Sequence, residues 1–131
     1  MNISGRLHVE LYVFGKVIKL EQDREASIFR IVQEIITNAM KHAQAKTLFP
    51  QLNFSGEDQT VDITAEDDGK GFDFNKARLS GSMGLENIKT RVNGLDGHLS
   101  IESAKNAGTT FIISGIPVYL HSEPKKQAEL P

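Results

Sequence analysis

"IFRIVQEIITNAMKHA", residues 28–43, is the stretch on which the fold turns. At 100° per residue, Ile28, Ile31, Val32, Ile35, Ile36, Ala39 and Ala43 gather on one broad apolar face. This is the longest helical pattern in the chain, and it predicts a helix from about Arg24 to Ala45. Glu34, Asn38 and Lys41 are spaced i, i+4, i+7 and form a narrow polar stripe opposite that face. The ordinary reading of such a stripe is a solvated helix surface. Asparagine speaks against that reading alone, because it competes with the helix backbone and usually needs a reason to sit mid-helix. The three side chains also make a useful set: a carboxylate that can order water or accept a proton, an amide oxygen for a hard cation, and an ammonium for phosphate. His42 lies at the edge of the stripe and reads as a packed or helix-end residue, since a cation near a helix C-terminus is favourable.

Working outward, residues 5–14 ("GRLHVELYVF") alternate apolar and polar at Leu7, Val9, Leu11 and Val13, the period of a half-buried strand. Beyond the helix, "TLFPQLNF" and "TVDITAED" read as two more strands joined by the turn "SGEDQ". Pro50 inside the first of these predicts an edge position or a bulge. A glycine-bearing loop runs from Gly69 to Gly84, and a second helix is expected from about Leu85 to Leu95. "GHLSIES" and "TTFIISGIPV" read as a closing hairpin joined by "AKNAG". Residues 1–118 form the expected domain, and the polar tail 119–131, with two prolines, is expected to be disordered. Long helices mixed with strands predict an α+β two-layer sandwich.

Composition removes several function classes. A chain of 131 residues suits one domain, and that length buries roughly two-thirds of its unfolded surface. Fifteen basic residues against 17 acidic ones leave no basic excess for nucleic acid. The absence of cysteine rules out a disulfide framework and a thiolate metal site. No apolar run approaches the roughly 18–20 residues that span a bilayer, and the N-terminus has no signal-peptide core. The expectation is a soluble, cytoplasmic domain without direct membrane contact, alone or as the cytoplasmic part of a membrane-anchored sensor.

The segment "EDDGKGFD", residues 66–73, admits several readings. A calcium loop needs alternating oxygen ligands and a glycine at its sixth position; counting from Asp62 puts Asp67 there, so that reading fails. A plain Asp-Gly surface turn remains open. Against it, Asp67 closes an apolar strand, and Gly69 and Gly71 leave the backbone bare just beyond. That arrangement lets a flat ligand approach while one carboxylate accepts a hydrogen bond, and adenine with its exocyclic amine would suit it. "GSMGLENIKTRV", residues 81–92, is a second glycine loop entering a helix, where free amides can receive an anion. "NAGTTF", residues 106–111, would alone pass for a hairpin turn. The order of the pieces is more informative than any one of them.

That order, "QEIITNAMKHA", "DDGKGFD", "GLENIKTRV", "GTTF", resembles the ATP-binding domain of bacterial sensor histidine kinases, in the superfamily shared with gyrase, the heat-shock 90 chaperones and mismatch-repair ATPases. "IFRIVQEIITNAMKHA" is most similar to the subfamily that pairs with helix-turn-helix response regulators. The resemblance covers residues 5–118. It implies a Bergerat-fold sandwich, a mixed β-sheet with helices on one face, with ATP between the first helix and a lid.

Residue by residue, the resemblance implies that Asn38 ligates a Mg²⁺ bridging the phosphates and that Lys41 contacts them. It gives Asp67 the adenine amine, and it has Gly69 and Gly71 admit the base. Gly81, Ser82, Gly84 and Leu85 become the phosphate-side lid and helix start, and Thr109 or Thr110 completes the adenine side. Glu34 stands where related ATPases keep a water-activating carboxylate and would tune proton transfer here. Phosphoryl transfer needs positioning and charge neutralisation, which such a set supplies.

The sequence departs from the family in three places, one being the second glycine loop, which reads Gly-Ser-Met-Gly-Leu over residues 81–85. The lid between Phe72 and Gly84 is short, without a phenylalanine-rich box. The four histidines, His8, His42, His98 and His121, are followed by Val9, Ala43, Leu99 and Ser122, never by the acidic residue expected after a phosphoacceptor. The resemblance therefore implies a catalytic domain that donates the γ-phosphoryl to a histidine on a separate dimerisation domain, for relay to a response regulator, and that is itself a monomer. The alternative is an anti-sigma factor with serine-kinase activity on the same fold.

Overall fold

The computed structural model describes residues 2–3, 7–41, 43–71, 84–104 and 106–118. The expected tail 119–131, His42, and the lid residues from Phe72 through Ser82 to Met83 lie outside them. In chain order the elements are β1 (Asn2–Ile3), β2 (Leu7–Val9), β3 (Tyr12–Phe14), α1 (Gln22–Lys41), β4 (Thr47–Ser55), β5 (Thr60–Asp67), α2 (Leu85–Gly94), β6 (His98–Ser103) and β7 (Thr109–Pro117). The strands form one mixed sheet in the order β1-β2-β4-β5-β7-β6, with β3 also on β4. The β2 and β3 strands run parallel to β4, and the other pairings are antiparallel.

Both helices lie on one face of this sheet. From α1, Ile28, Ile31, Ile35 and Ala39 are buried, and from α2, Leu85, Ile88 and Val92. They close over Leu48, Val61, Ile63, Ala65, Phe111 and Ile113, the alternate residues of the central strands. Each fully buried Val, Leu, Ile or Phe among them contributes about 1.5–3 kcal/mol. Buried Arg24 fastens the start of α1 to the far end of the fold, donating from Nε to the Pro117 carbonyl (2.8 Å) and from Nη2 to the Leu95 carbonyl (2.5 Å). The helices therefore run antiparallel. The end of α1, the end of β5 and the starts of α2 and β7 meet at the opposite end of the molecule.

Three sequence expectations change. The strand expected over residues 5–14 breaks into β2 and β3 at Glu10–Leu11, although both keep the same register offset against β4. Leu7 and Val9 are buried, but Leu11 and Val13 are 58% and 48% exposed. They rim an open apolar groove between β3 and α1, shared with Val17 and Phe29, where among the described residues no element covers them. Pro50 sits neither at an edge nor at a bulge: β4 has neighbours on both sides. It is tolerated because it falls between the residues that pair β2 (Thr47, Leu48) and those that pair β3 (Gln51–Asn53), so its missing N–H faces the break. Finally, α1 ends at Lys41 rather than near Ala45, where Gln44 turns left-handed (φ 52°). The Ala43 amide closes the end by donating to the Asn38 carbonyl (3.0 Å).

Candidate functional site

The end of α1 presents the first unusual group. Asn38 is 3% exposed, and neither its Oδ1 nor its Nδ2 has a hydrogen-bond partner among the described residues. The helical wheel explains how an apparent stripe residue became buried: Asn38 lies only about 20° from Ile31 around the helix. α2 packs beside α1 on the same face of the sheet. Glu34 is half-buried and Lys41 exposed, so the expected stripe spans the boundary from interior to solvent. A buried amide without a partner costs of order 1–3 kcal/mol. Such a group is what a ligand-facing position looks like before the ligand is present.

Asp67 ends β5 on the same face and is 6% exposed. Its Oδ1 accepts the Gly69 amide at 2.8 Å. Burial pushes its carboxyl above the ordinary carboxylate range; the Gly69 and Thr109 amides pull it down and the neighbouring Asp68 and Glu66 charges push it up. Asp68 next door is exposed and does different work. Its Oδ1 accepts the amides of Lys46 and Thr47, each at 2.9 Å, and so clips the end of β5 to the segment leaving α1. Burial opposes its ionisation, but the Thr47 and Lys46 amides outweigh that and hold its carboxyl below the ordinary range.

The glycines here have packing reasons of their own. A Cβ on Gly69 would lie 2.6 Å from the Ala43 carbonyl oxygen and 2.7 Å from the Ala43 Cβ. Gly71 is left-handed (φ 70°) with the Ala104 carbonyl against it. The Lys70 amide donates to Ala43 O (2.9 Å), and the Lys70 carbonyl accepts the Asn106 amide. The 67–71 loop is thus wedged between the end of α1 and the β6–β7 hairpin, which fixes Asp67 relative to Asn38. Gly84, also left-handed (φ 62°), caps α2 without a side-chain hydrogen bond. A Cβ there would lie 2.9 Å from Glu34 Cδ.

Of the expected set, the structure brings Glu34, Asn38, Asp67, Gly69, Gly84 and Thr109 to one end of the sandwich, with Lys41 and Gly71 at its rim. Leu85 is 5% exposed and its side chain belongs to the core, so only its backbone stands at the helix start. Thr110 is not brought in: alternation along β7 turns it to the opposite face, beside Glu66. Thr109 points inward and is 3% exposed. Ser82 lies outside the described residues. Sequence reasoning missed Ser103, whose Oγ lies 2.8 Å from Thr109 Oγ1. Only strand register could have found it. Among the described residues no group of three or more His, Asp or Glu could hold a metal by itself. No described helix is long and apolar enough to cross a membrane.

Comparison with known proteins shows the family and the fold. Residues 23–120 match the family described as histidine kinase-, DNA gyrase B-, and HSP90-like ATPase. The chain is 39% identical over 112 residues to the signal transduction histidine-protein kinase/phosphatase DegS of Brevibacillus brevis, covering 86% of this chain and 28% of that protein. It is 40% identical over 102 residues to the sensor histidine kinase ComP of Bacillus subtilis, covering 77% of this chain and 13% of that protein. The chain thus spans less than a third of either relative. Among solved structures, the blue-light activated histidine kinase of Erythrobacter litoralis EL346 matches with TM-score 0.68 and 25% identity, over 87% of this chain and 36% of that one. The ATP binding domain of PrrB from Mycobacterium tuberculosis shares the fold, with TM-score 0.63 at 20% identity, over 87% of this chain and 82% of that one.

Proposed function

Because the chain belongs to the histidine kinase-, DNA gyrase B- and HSP90-like ATPase family, we propose that it is the catalytic domain of a two-component sensor histidine kinase, handing the γ-phosphoryl of Mg-ATP to a histidine on a separate dimerisation and phosphoacceptor domain. From that histidine the group would pass to a response-regulator aspartate. The working unit is residues 1–118, a monomer in the cytoplasm. The relatives are sensor histidine kinases, which favours this reading over the anti-sigma alternative.

One observation carries the reading: Asn38 is buried with both amide atoms unpartnered among the described residues. Its oxygen fits a hard cation, and because no acidic cluster accompanies it among the described residues, the remaining ligands would come from phosphate and water. Mg²⁺ would neutralise phosphate charge when bound. Around it, Asp67 accepts the adenine amine and Thr109 flanks the same edge of the base. Gly69 and Gly71 keep the backbone bare where the base enters. Lys41 at the rim meets the phosphates, and the α2 amides behind Gly84 and Leu85 offer an anion site. In the transfer, the bond between the γ-phosphorus and the β–γ bridging oxygen breaks as a bond to the acceptor imidazole nitrogen forms. The attacking nitrogen uses its lone pair, and Glu34 would tune loss of the proton carried by the other imidazole nitrogen.

Calorimetric titration with ADP and with a non-hydrolysable ATP analogue, with and without Mg²⁺, tests the assignment. Binding strengthened by Mg²⁺ in the wild type and lost in Asp67→Ala is expected. Wild-type affinity in Asp67→Ala would overturn the pocket.

A further inference from the structure

Three strands place one residue each in a single polar row. Ser103 of β6 pairs with Thr109 of β7, and Thr109 pairs with Asp67 of β5. All three side chains lie on the helix-covered face at the end of the sheet where Asn38 is buried. Their hydrogens are not free to point anywhere. Ser103 Oγ donates to the Gly108 carbonyl at 3.2 Å, and a carbonyl can only accept. Ser103 has one hydroxyl hydrogen, so its 2.8 Å contact with Thr109 Oγ1 must use the Thr109 hydrogen. Both contacts form together in no other way. Thr109 then faces the Asp67 side with lone pairs only, and the Asp67 carboxylate beside it is also an acceptor.

We propose that Ser103 is a positioning residue that fixes Thr109 as an acceptor and so makes the site select adenine over guanine. This rests on the reading of Asp67 and Thr109 as the base-binding edge. Adenine offers an exocyclic amine with two N–H donors to this pair of acceptors. Guanine, in the same orientation, offers a carbonyl oxygen, which meets acceptors on both sides and leaves buried polar atoms unpaired. Removing the Ser103 hydroxyl frees the Thr109 hydrogen. Thr109 can then donate to a guanine carbonyl, and the discrimination weakens even though neither base touches Ser103.

The test is calorimetry of the whole chain with ADP and GDP, both with Mg²⁺, for the wild type, Ser103→Ala, Ser103→Thr and Thr109→Val. Wild type should prefer ADP. Ser103→Ala should lower the ADP-to-GDP affinity ratio by about tenfold, mainly through tighter GDP binding. Ser103→Thr, which keeps the hydroxyl, should restore the ratio. Adding Ser103→Ala to Thr109→Val should change the ratio no further, because the group it controls is gone. A merely structural serine would weaken both nucleotides alike, and that result overturns the inference. An unchanged ratio in Ser103→Ala, with normal ADP binding, also overturns it and leaves the pocket standing. A wild type that binds neither nucleotide overturns the pocket reading and this inference with it.

Discussion

The carboxylate of Glu34 fills the space that a side chain at residue 84 would need: a Cβ on Gly84 would lie 2.9 Å from Glu34 Cδ. The middle of α1 and the first residue before α2 are therefore packed to contact, and a larger residue at 84 would require the Glu34 carboxylate to move. Gly84 is also left-handed, at φ 62°. Two separate penalties, one steric and one conformational, thus guard the same position.

Gly84→Ala should lower stability by about 1–3 kcal/mol, measured as a shift in urea midpoint. Pairing it with Glu34→Ala should recover the steric part, because the obstacle is a side chain. The left-handed backbone penalty should remain. Equal stability of Gly84→Ala and wild type would mean that the contact is easily relaxed.

Asn38 predicts a trade between stability and binding. Asn38→Leu replaces an unpartnered buried amide with an apolar group of similar size. The nucleotide-free protein should gain about 1–3 kcal/mol. Excess Mg-ADP should raise the urea midpoint of the wild type and leave that of Asn38→Leu unmoved. A destabilised Asn38→Leu would show that the amide already has a partner.

The two neighbouring aspartates should act oppositely with pH. Asp67 has its folded-state carboxyl raised above 3.8, so the folded protein takes up that proton first as pH falls. Its contribution therefore grows on acidification, is complete below the unfolded value, and is lost as pH rises through the raised folded value. Asp68 is lowered below 3.8. It stabilises the fold above the unfolded value, and that contribution disappears as pH falls through its folded value. Thermal midpoints recorded from about pH 3 to 7 should rise in Asp67→Asn relative to wild type at neutral pH and fall slightly in Asp68→Asn. Asp68 is exposed, so its effect should be the smaller. Changes of the same sign in the two variants would contradict the assigned directions.

Arg24 separates stability from binding. Arg24→Met removes the donors to the Pro117 and Leu95 carbonyls and should cost about 2–4 kcal/mol. Fourteen residues of helix separate Arg24 from Asn38, about 20 Å. The ADP affinity of the folded variant should equal that of wild type. Weaker ADP binding would mean that Arg24 positions the site as well as the fold.

Much of this architecture is legible in local sequence. The apolar period of α1, the alternation of β5 and β7, and the turn "SGEDQ" each depend on neighbours within one or two turns of chain. So does Asp67 at the end of its strand, and the order of the four motifs identifies the family. Pro50 shows where local rules run out: its placement inside the sheet depends on a break at Glu10–Leu11, which only pairing reveals.

The sequence by itself determined the two helices, the central strands and the names of most residues at the site, because side-chain periodicity is a local property of the backbone. The tertiary structure alone decided which of those residues face inward together. Asn38 is buried by segments that pack around α1, which its own helical pattern does not reveal. Thr109 rather than Thr110 joins Asp67, because one residue of register turns a side chain to the other face. Ser103 enters only through two strand pairings in succession. Burial and cross-strand contact come from segments distant in sequence, so no local pattern can carry them.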